Sequence, residues 1–157
     1  MTILQSVDRL IGTLELSGCQ YVIIGGIAVL LHGGRASTID FDLYVLATDM
    51  PRLKSTLLNI GAYCDLEAPH QLRFKLNDIF VDVLEADSVM TETIFSRSVR
   101  KKINIATANV ASPEDLIILK TIADRPIDRR DVLELREIFS GELNEVYIES
   151  TMNKLKL

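Results

Sequence analysis

Cysteine is scarce in this chain. The two present, Cys19 and Cys64, lie among apolar residues and make neither a disulfide framework nor a metal-ligand spacing. Both read as small core residues. Histidine also occurs only twice, at His32 and His70. No partner stands at metal-ligating spacing, so a histidine zinc site is excluded and His32 reads as a loop hydrogen-bonder. No apolar run is long enough to span a bilayer. The N-terminal segment lacks the basic start, apolar core and small-residue cleavage site of a secretory leader, which leads to an expected cytoplasmic location without membrane association. A basic excess is missing too: 17 Lys and Arg face 22 Asp and Glu, a net charge of -5. That argues against a strongly basic nucleic-acid face. Two local groups, Arg97 with Arg100, Lys101 and Lys102, and Arg125 with Arg129 and Arg130, read as solvated surface.

What is present is a chain of 157 residues, 48% of them apolar and 25% charged, suited to a single domain with a real core. Leu4, Val7, Leu10, Ile11 and Leu14 recur at helical spacing, and Gly18 ends that helix. Tyr21–Ile24 is a short buried strand, Gly25-Gly26 interrupts it, and residues 27–31 form a short helix. Residues 39–46 alternate as a strand, with Ile39, Phe41, Leu43 and Val45 on one face and Asp40, Asp42 and Tyr44 on the other. A helix over 50–60 opens with Pro51 and closes at Gly61. Strands over 72–76 and 79–84 meet at the turn pair Asn77-Asp78, and 103–106 reads as a further strand. Ser112, Pro113, Glu114 and Asp115 form a helix start. That helix runs to about residue 124, Pro126 stops it, and helices over 131–139 and 143–152 follow. The layout is α/β (α+β): a mixed sheet flanked by helices over 1–111, with a C-terminal helical segment over 112–157 packed on the same domain.

Two acids one residue apart on a strand project from the same face and repel each other. Asp40 and Asp42 therefore fit either a solvated edge strand or a site for a divalent cation, such as Mg²⁺, which takes one or two carboxylates and completes its shell with water and phosphates. Gly25-Gly26 between a strand and a helix fits either a plain turn or a phosphate loop. In the second case the glycines let backbone amides approach an anion, and the helix start adds positive potential. Phosphate loop and acid pair together are what phosphoryl transfer requires.

At these residues a resemblance becomes visible. Ile24-Gly25-Gly26, thirteen residues, then Asp40-Phe41-Asp42-Leu43 resembles the signature of the polymerase-beta-like nucleotidyltransferase superfamily. The resemblance implies a third carboxylate on a neighbouring strand, and Asp82 in Phe80-Val81-Asp82-Val83 matches it better than Asp78 or Glu85. Lys120, Arg125, Asp128 and Asp131 resemble the second motif of the AbiEii branch, the toxins of type IV toxin–antitoxin systems. His32 through Thr38, including Arg35, is similar to the same branch. Three departures stand out. Ile27 follows Gly26 where a serine is common, Ile127 replaces a family lysine, and the chain is shorter than most AbiEii-type toxins, as a minimal core would be.

The resemblance implies a Mg²⁺-dependent enzyme, with Mn²⁺ as a substitute, that moves a nucleoside monophosphate from an NTP to an acceptor. Asp40, Asp42 and Asp82 would hold two metals and support in-line displacement at the α-phosphate. Gly25 and Gly26 would cradle the departing pyrophosphate. Lys120 would offset charge at the triphosphate, Arg35 would touch phosphate or acceptor, and Asp131 would orient Lys120. Asp128 and Asp131 also fit simple helix caps. The acceptor would be RNA (a tRNA end), a protein hydroxyl or a small molecule such as an aminoglycoside, with a cognate toxin or antitoxin as partner. The AbiEii likeness favours RNA or protein, and the acidic balance weighs against RNA. The alternative is a non-catalytic nucleotide-binding or antitoxin-like subunit of the same fold, although such a module has no need of three anions facing one cleft.

Overall fold

The computed structural model describes residues 1–35 and 40–156. Ala36, Ser37, Thr38 and Ile39, which the sequence reading placed before and at the start of the acid-bearing strand, lie outside the described residues. The elements in order are α1 (Ile3–Leu16), β1 (Tyr21–Ile24), α2 (Gly25–Leu31), β2 (Asp40–Val45), α3 (Met50–Asn59), β3 (Tyr63–Ala68), β4 (Gln71–Leu76), β5 (Ile79–Glu85), α4 (Ser88–Thr91), β6 (Val99–Ile103), β7 (Ala106–Val110), α5 (Pro113–Ala123), α6 (Pro126–Ile138) and α7 (Glu145–Leu155). The strands form one mixed sheet in the order β3-β4-β5-β2-β1-β7-β6, as the α/β expectation requires. No described helix is long and apolar enough to cross a membrane.

β2 lies inside this sheet, antiparallel to β1 and parallel to β5, so the edge-strand reading of Asp40 and Asp42 is excluded. Its alternation is realised: Phe41, Leu43 and Val45 are buried while Asp40, Asp42 and Tyr44 are partly exposed. Full burial of such apolar side chains contributes roughly 1.5–3 kcal/mol each. That burial holds the strand in register and fixes the direction of the acids.

Turn chemistry explains the connections. Asn77 takes a left-handed backbone (φ 53°) and lets β4 fold directly onto β5. Ser112 Oγ accepts from the Asp115 backbone N at 3.1 Å, and Pro113 stands in the first turn of α5. Asp115 is fully buried, accepts hydrogen bonds from Ser112 Oγ and Tyr147 Oη, and so ties α7 to α5. Arg97 lies over the Tyr147 ring at 3.8 Å and pairs with Glu114 at 3.0 Å. It is therefore a packing residue, not part of a solvated basic group.

The sequence reading differs from the structure at several places. Residues 103–106 are not one strand: Ile103 ends β6, Ala106 opens β7, and Asn104-Ile105 is the hairpin turn between them, with Asn104 at φ 54° and Ile105 80% exposed. β3 is an additional, mostly exposed strand paired to β4. α4 is an additional short helix capped by the Asp87 side chain. Pro126 does not merely stop α5; it opens α6, which begins five residues earlier than expected because Asp128 folds back to accept from the Arg125 backbone N at 3.2 Å. Cys19 is buried, but Cys64 is only half-buried on β3.

Candidate active site

Strand register assembles the site. β1 places Ile24 opposite Asp42, β5 places Asp82 beside Asp42, and β4 places Arg73 opposite Asp82. Register partners in adjacent strands share a face at a spacing of about 4.8 Å. Ile24, Asp42, Asp82 and Arg73 therefore form one row across four strands. Asp40 and Phe80 make the row on one side of it, and Tyr44 and Leu84 the row on the other.

Gly25 follows Ile24 and is forced against the Asp42 carboxylate by the β1–β2 pairing. A Cβ built on Gly25 would stand 2.2 Å from Asp42 Oδ2, and its φ of 71° is left-handed. Only glycine fits both constraints. Gly25 and Gly26 are the first two residues of α2 rather than a loop before it, and α2 itself is seven residues long. Gly25→Ala is expected to cost at least ~1 kcal/mol of stability, since alanine is strained at positive φ, and to displace Asp42. Urea denaturation checks the first effect. The second is read as a fall in nucleotide affinity larger than the stability change accounts for.

α5 supplies the facing wall. Leu116, Leu119, Lys120 and Ala123 share one helical face and line a cavity of about 530 Å³ together with Gly25, Asp42, Tyr44, Leu84, Met90, Arg125, Asp128 and Leu155. The cavity is charged near Asp42, Lys120, Arg125 and Asp128. Tyr44, Leu84, Met90, Leu119 and Leu155 give it an apolar wall, with the Asp87 carboxylate beside Tyr44. Behind the charged end, buried Lys120 donates to Asp128 at 3.4 Å and pairs with Asp131 at 2.9 Å. Arg125 Nε donates to Asp128 at 2.6 Å from a largely exposed position.

These charges bias one another. Burial, then Asp82 and Asp40, push the Asp42 carboxyl up to about 6, and Lys120 and Arg125 only partly offset them. For Asp128 burial also acts upward, but hydrogen bonds from the Arg125 side chain and backbone, with the Lys120 charge, hold it below the usual carboxylate range. Asp82 accepts from Arg73 Nη1 at 3.1 and 3.3 Å. Among the described residues, no three His, Cys, Asp or Glu side chains meet as a ready-made metal cluster.

Of the residues singled out from the sequence, Gly25, Asp42, Lys120, Arg125 and Asp128 border one cavity. Asp82 flanks Asp42, Asp131 grips Lys120, and Asp40 lies one row away. Gly26 and Arg35 are not part of the cavity lining, and Arg35 is exposed beyond α2. His32 is buried, and its Nε2 lies 2.8 Å from the Ala111 carbonyl; burial lowers its pKa. Sequence reasoning missed Arg73, although counting back from the Asn77-Asp78 turn pairs it with Asp82. It also passed over Tyr44, which shares the face of Asp42.

Similarity to known proteins agrees with this layout. No curated protein matches the chain in sequence. Among solved structures, the antibiotic-resistance factor ANT(2″)-Ia aligns at 16% identity and a TM-score of 0.68, covering 98% of this chain and 90% of its own. The lincosamide antibiotic adenylyltransferase LnuA, bound to lincomycin, aligns at 16% identity and a TM-score of 0.65, covering 85% and 96%. An antigenic nucleotidyltransferase-like protein from Paracoccidioides brasiliensis aligns at 19% identity and a TM-score of 0.63, covering 98% and 86%. At these identities the likeness speaks to fold, and it is the nucleotidyltransferase fold. The family model described as "Nucleotidyltransferase of unknown function (DUF6036)" matches residues 1–154, and the chain belongs to that family.

Proposed function

We propose that the protein transfers a nucleoside monophosphate from an NTP to an acceptor hydroxyl, with Asp40, Asp42 and Asp82 holding Mg²⁺ or Mn²⁺. The observation that carries this reading is the row Asp42–Asp82 on interior strands, with Gly25 stripped of a side chain against the Asp42 carboxylate and Lys120 across the cavity. The donor set fits a hard cation. Burial first, and then repulsion from Asp82 and Asp40, raise the Asp42 carboxyl, and one or two carboxylates completed by water and phosphate are what Mg²⁺ accepts. A cation bound there would neutralise phosphate oxygens and make the acceptor hydroxyl more acidic.

The chain's own residues do the rest. Gly25 and Gly26 offer backbone amides to the triphosphate. Lys120, oriented by Asp131, offsets the charge that gathers on the leaving pyrophosphate. Arg125 supplies a second positive charge at the cavity rim, and Arg35 reaches phosphate or acceptor from outside the cavity. The segment 112–157 closes this site over the core 1–111. On the AbiEii-like second motif we assign the acceptor to RNA or protein and propose a toxin–antitoxin setting with a cognate partner.

A second reading of the acceptor has its own observation. The apolar wall of the cavity, built from Tyr44, Leu84, Met90, Leu119 and Leu155 with Asp87 beside Tyr44, suits a small molecule, which typically binds in pockets of about 300–1,000 Å³. Calorimetric titration with Mg²⁺ and each NTP, on wild type and Asp42→Ala, tests the shared core of both readings. Micromolar binding that the variant loses is the expected result. A folded wild type that binds no Mg-NTP leaves the non-catalytic subunit as the better account. Labelled NTPs incubated with total RNA, with lysate protein and with a panel of hydroxylated small molecules then separate the acceptor classes.

A further inference from the structure

Arg73 is the charged side chain in the acid row that the proposed chemistry leaves unused. It sits on the flank of Asp82 away from Asp42, fixed there by the β4–β5 pairing. Its Nη1 lies 3.1 and 3.3 Å from the two oxygens of Asp82. Two further contacts hold the guanidinium still: it lies 4.4 Å from the centroid of the Phe80 ring, and its Nε is 3.9 Å from Asp65 Oδ2. Asp82 retains 11% side-chain exposure against 31% for Arg73. One guanidinium nitrogen thus engages both oxygens of the Asp82 carboxylate, from the strand on the opposite flank to Asp42.

A planar guanidinium held on three sides orients a carboxylate far better than a mobile ammonium does. The same positive charge also opposes any cation arriving between Asp42 and Asp82. Building on the metal-site reading above, we propose that Arg73 is a positioning residue: it fixes the Asp82 carboxylate in the row beside Asp42 and weakens the binding of a divalent cation until an NTP adds its own negative charge. Metal and nucleotide then arrive as a unit, and the site holds little metal without substrate.

The test uses Arg73→Gln, which removes the charge, and Arg73→Lys, which keeps the charge and loses the planar grip. Mn²⁺ alone serves as probe, with free ion counted by electron paramagnetic resonance in the absence of nucleotide. Arg73→Gln should bind Mn²⁺ about three- to tenfold more tightly, as expected for removing one charge several ångströms away in a partly solvated site. Arg73→Lys should stay within twofold of wild type. At saturating Mn-NTP, turnover should fall at least tenfold in Arg73→Gln and several-fold in Arg73→Lys, with KM for the NTP changing less than kcat. A folded Arg73→Gln that binds Mn²⁺ no more tightly than wild type overturns the proposal, as does an Arg73→Lys with wild-type turnover. The second variant decides the matter if the first does not fold. Wild-type Mn²⁺ binding that survives Asp42→Ala points instead to failure of the metal-site reading, and the proposal falls with it.

Discussion

Asp42→Asn is expected to abolish nucleotidyl transfer and, in the same molecule, to stabilise the metal-free fold above pH 6. A divalent cation is worth several kcal/mol at a phosphoryl transition state, and each 1.4 kcal/mol is a factor of ten. The loss in kcat/KM should therefore be on the order of 10³-fold or more. The stability gain follows from the raised carboxyl. Asp42 titrates at about 6 in the folded chain, pushed there by burial and by Asp82 and Asp40, whereas in the unfolded chain it has the ordinary carboxylate value. Between those values the folded state binds more protons, so the fold loses stability as pH rises through the window and has lost it fully above the folded value. The deficit is on the order of 2–3 kcal/mol at pH 8, and relaxation of the site reduces what a neutral isostere recovers to about 1–2 kcal/mol. Thermal melts in chelator at pH 5 and pH 8 read this directly. The wild type should be more stable at pH 5, and the variant should lose most of that difference. A variant less stable than wild type at pH 8 would show that burial and the neighbouring acids do not disfavour the Asp42 carboxylate as described.

Lys120→Met should destabilise the protein by about 3–5 kcal/mol, as removal of one partner from a buried ion pair does. Lys120 is 7% exposed and stands between Asp128 and Asp131, whose side chains are 1% and 4% exposed. Without the ammonium, the ion-pair partner of Asp131 among the described residues is Arg130 at 3.4 Å, while Asp128 still has Arg125. The damage should therefore centre on Asp131. Lys120→Met combined with Asp131→Leu should recover much of the loss, because no uncompensated charge remains. Urea midpoints of the two variants check this. Equal instability of both would mean that Lys120 acts through packing of its stem and not through its charge. Transfer activity should stay low in both, since each lacks the positive charge proposed to face the triphosphate.

Much of the site was legible because its logic is local. The alternation of Phe41, Leu43 and Val45 against Asp40 and Asp42 survives into the fold because β2 is an interior strand whose apolar face lies in the hydrophobic core. Ser112-Pro113 reads as a helix start because capping and φ preference act within four residues. β3 was not legible, since a mostly exposed edge strand with a register shift between Cys64 and Leu66 carries no period-two signal. The role of Pro126 was ambiguous for a different reason. Proline ends one helix and begins the next with the same local chemistry, and only the return of Asp128 to Arg125 distinguishes them. The gathering of Lys120, Asp128 and Asp131 is a tertiary fact, set by how α5 packs on α6. The Arg73–Asp82 pairing lies between these cases: the hairpin count implies it, but the count means something only once Asn77-Asp78 is known to be the turn.

The place of Tyr44 also has an optical consequence. The chain contains no tryptophan, and Tyr44 stands two residues past Asp42, half-buried in the cavity wall beside Leu84. An indole installed there by Tyr44→Trp would be the sole emitter of its kind in the molecule. Its emission would then come from one wall of the cavity alone, free of any background from the rest of the fold, and filling of that chamber could be followed in real time as a change in colour and intensity.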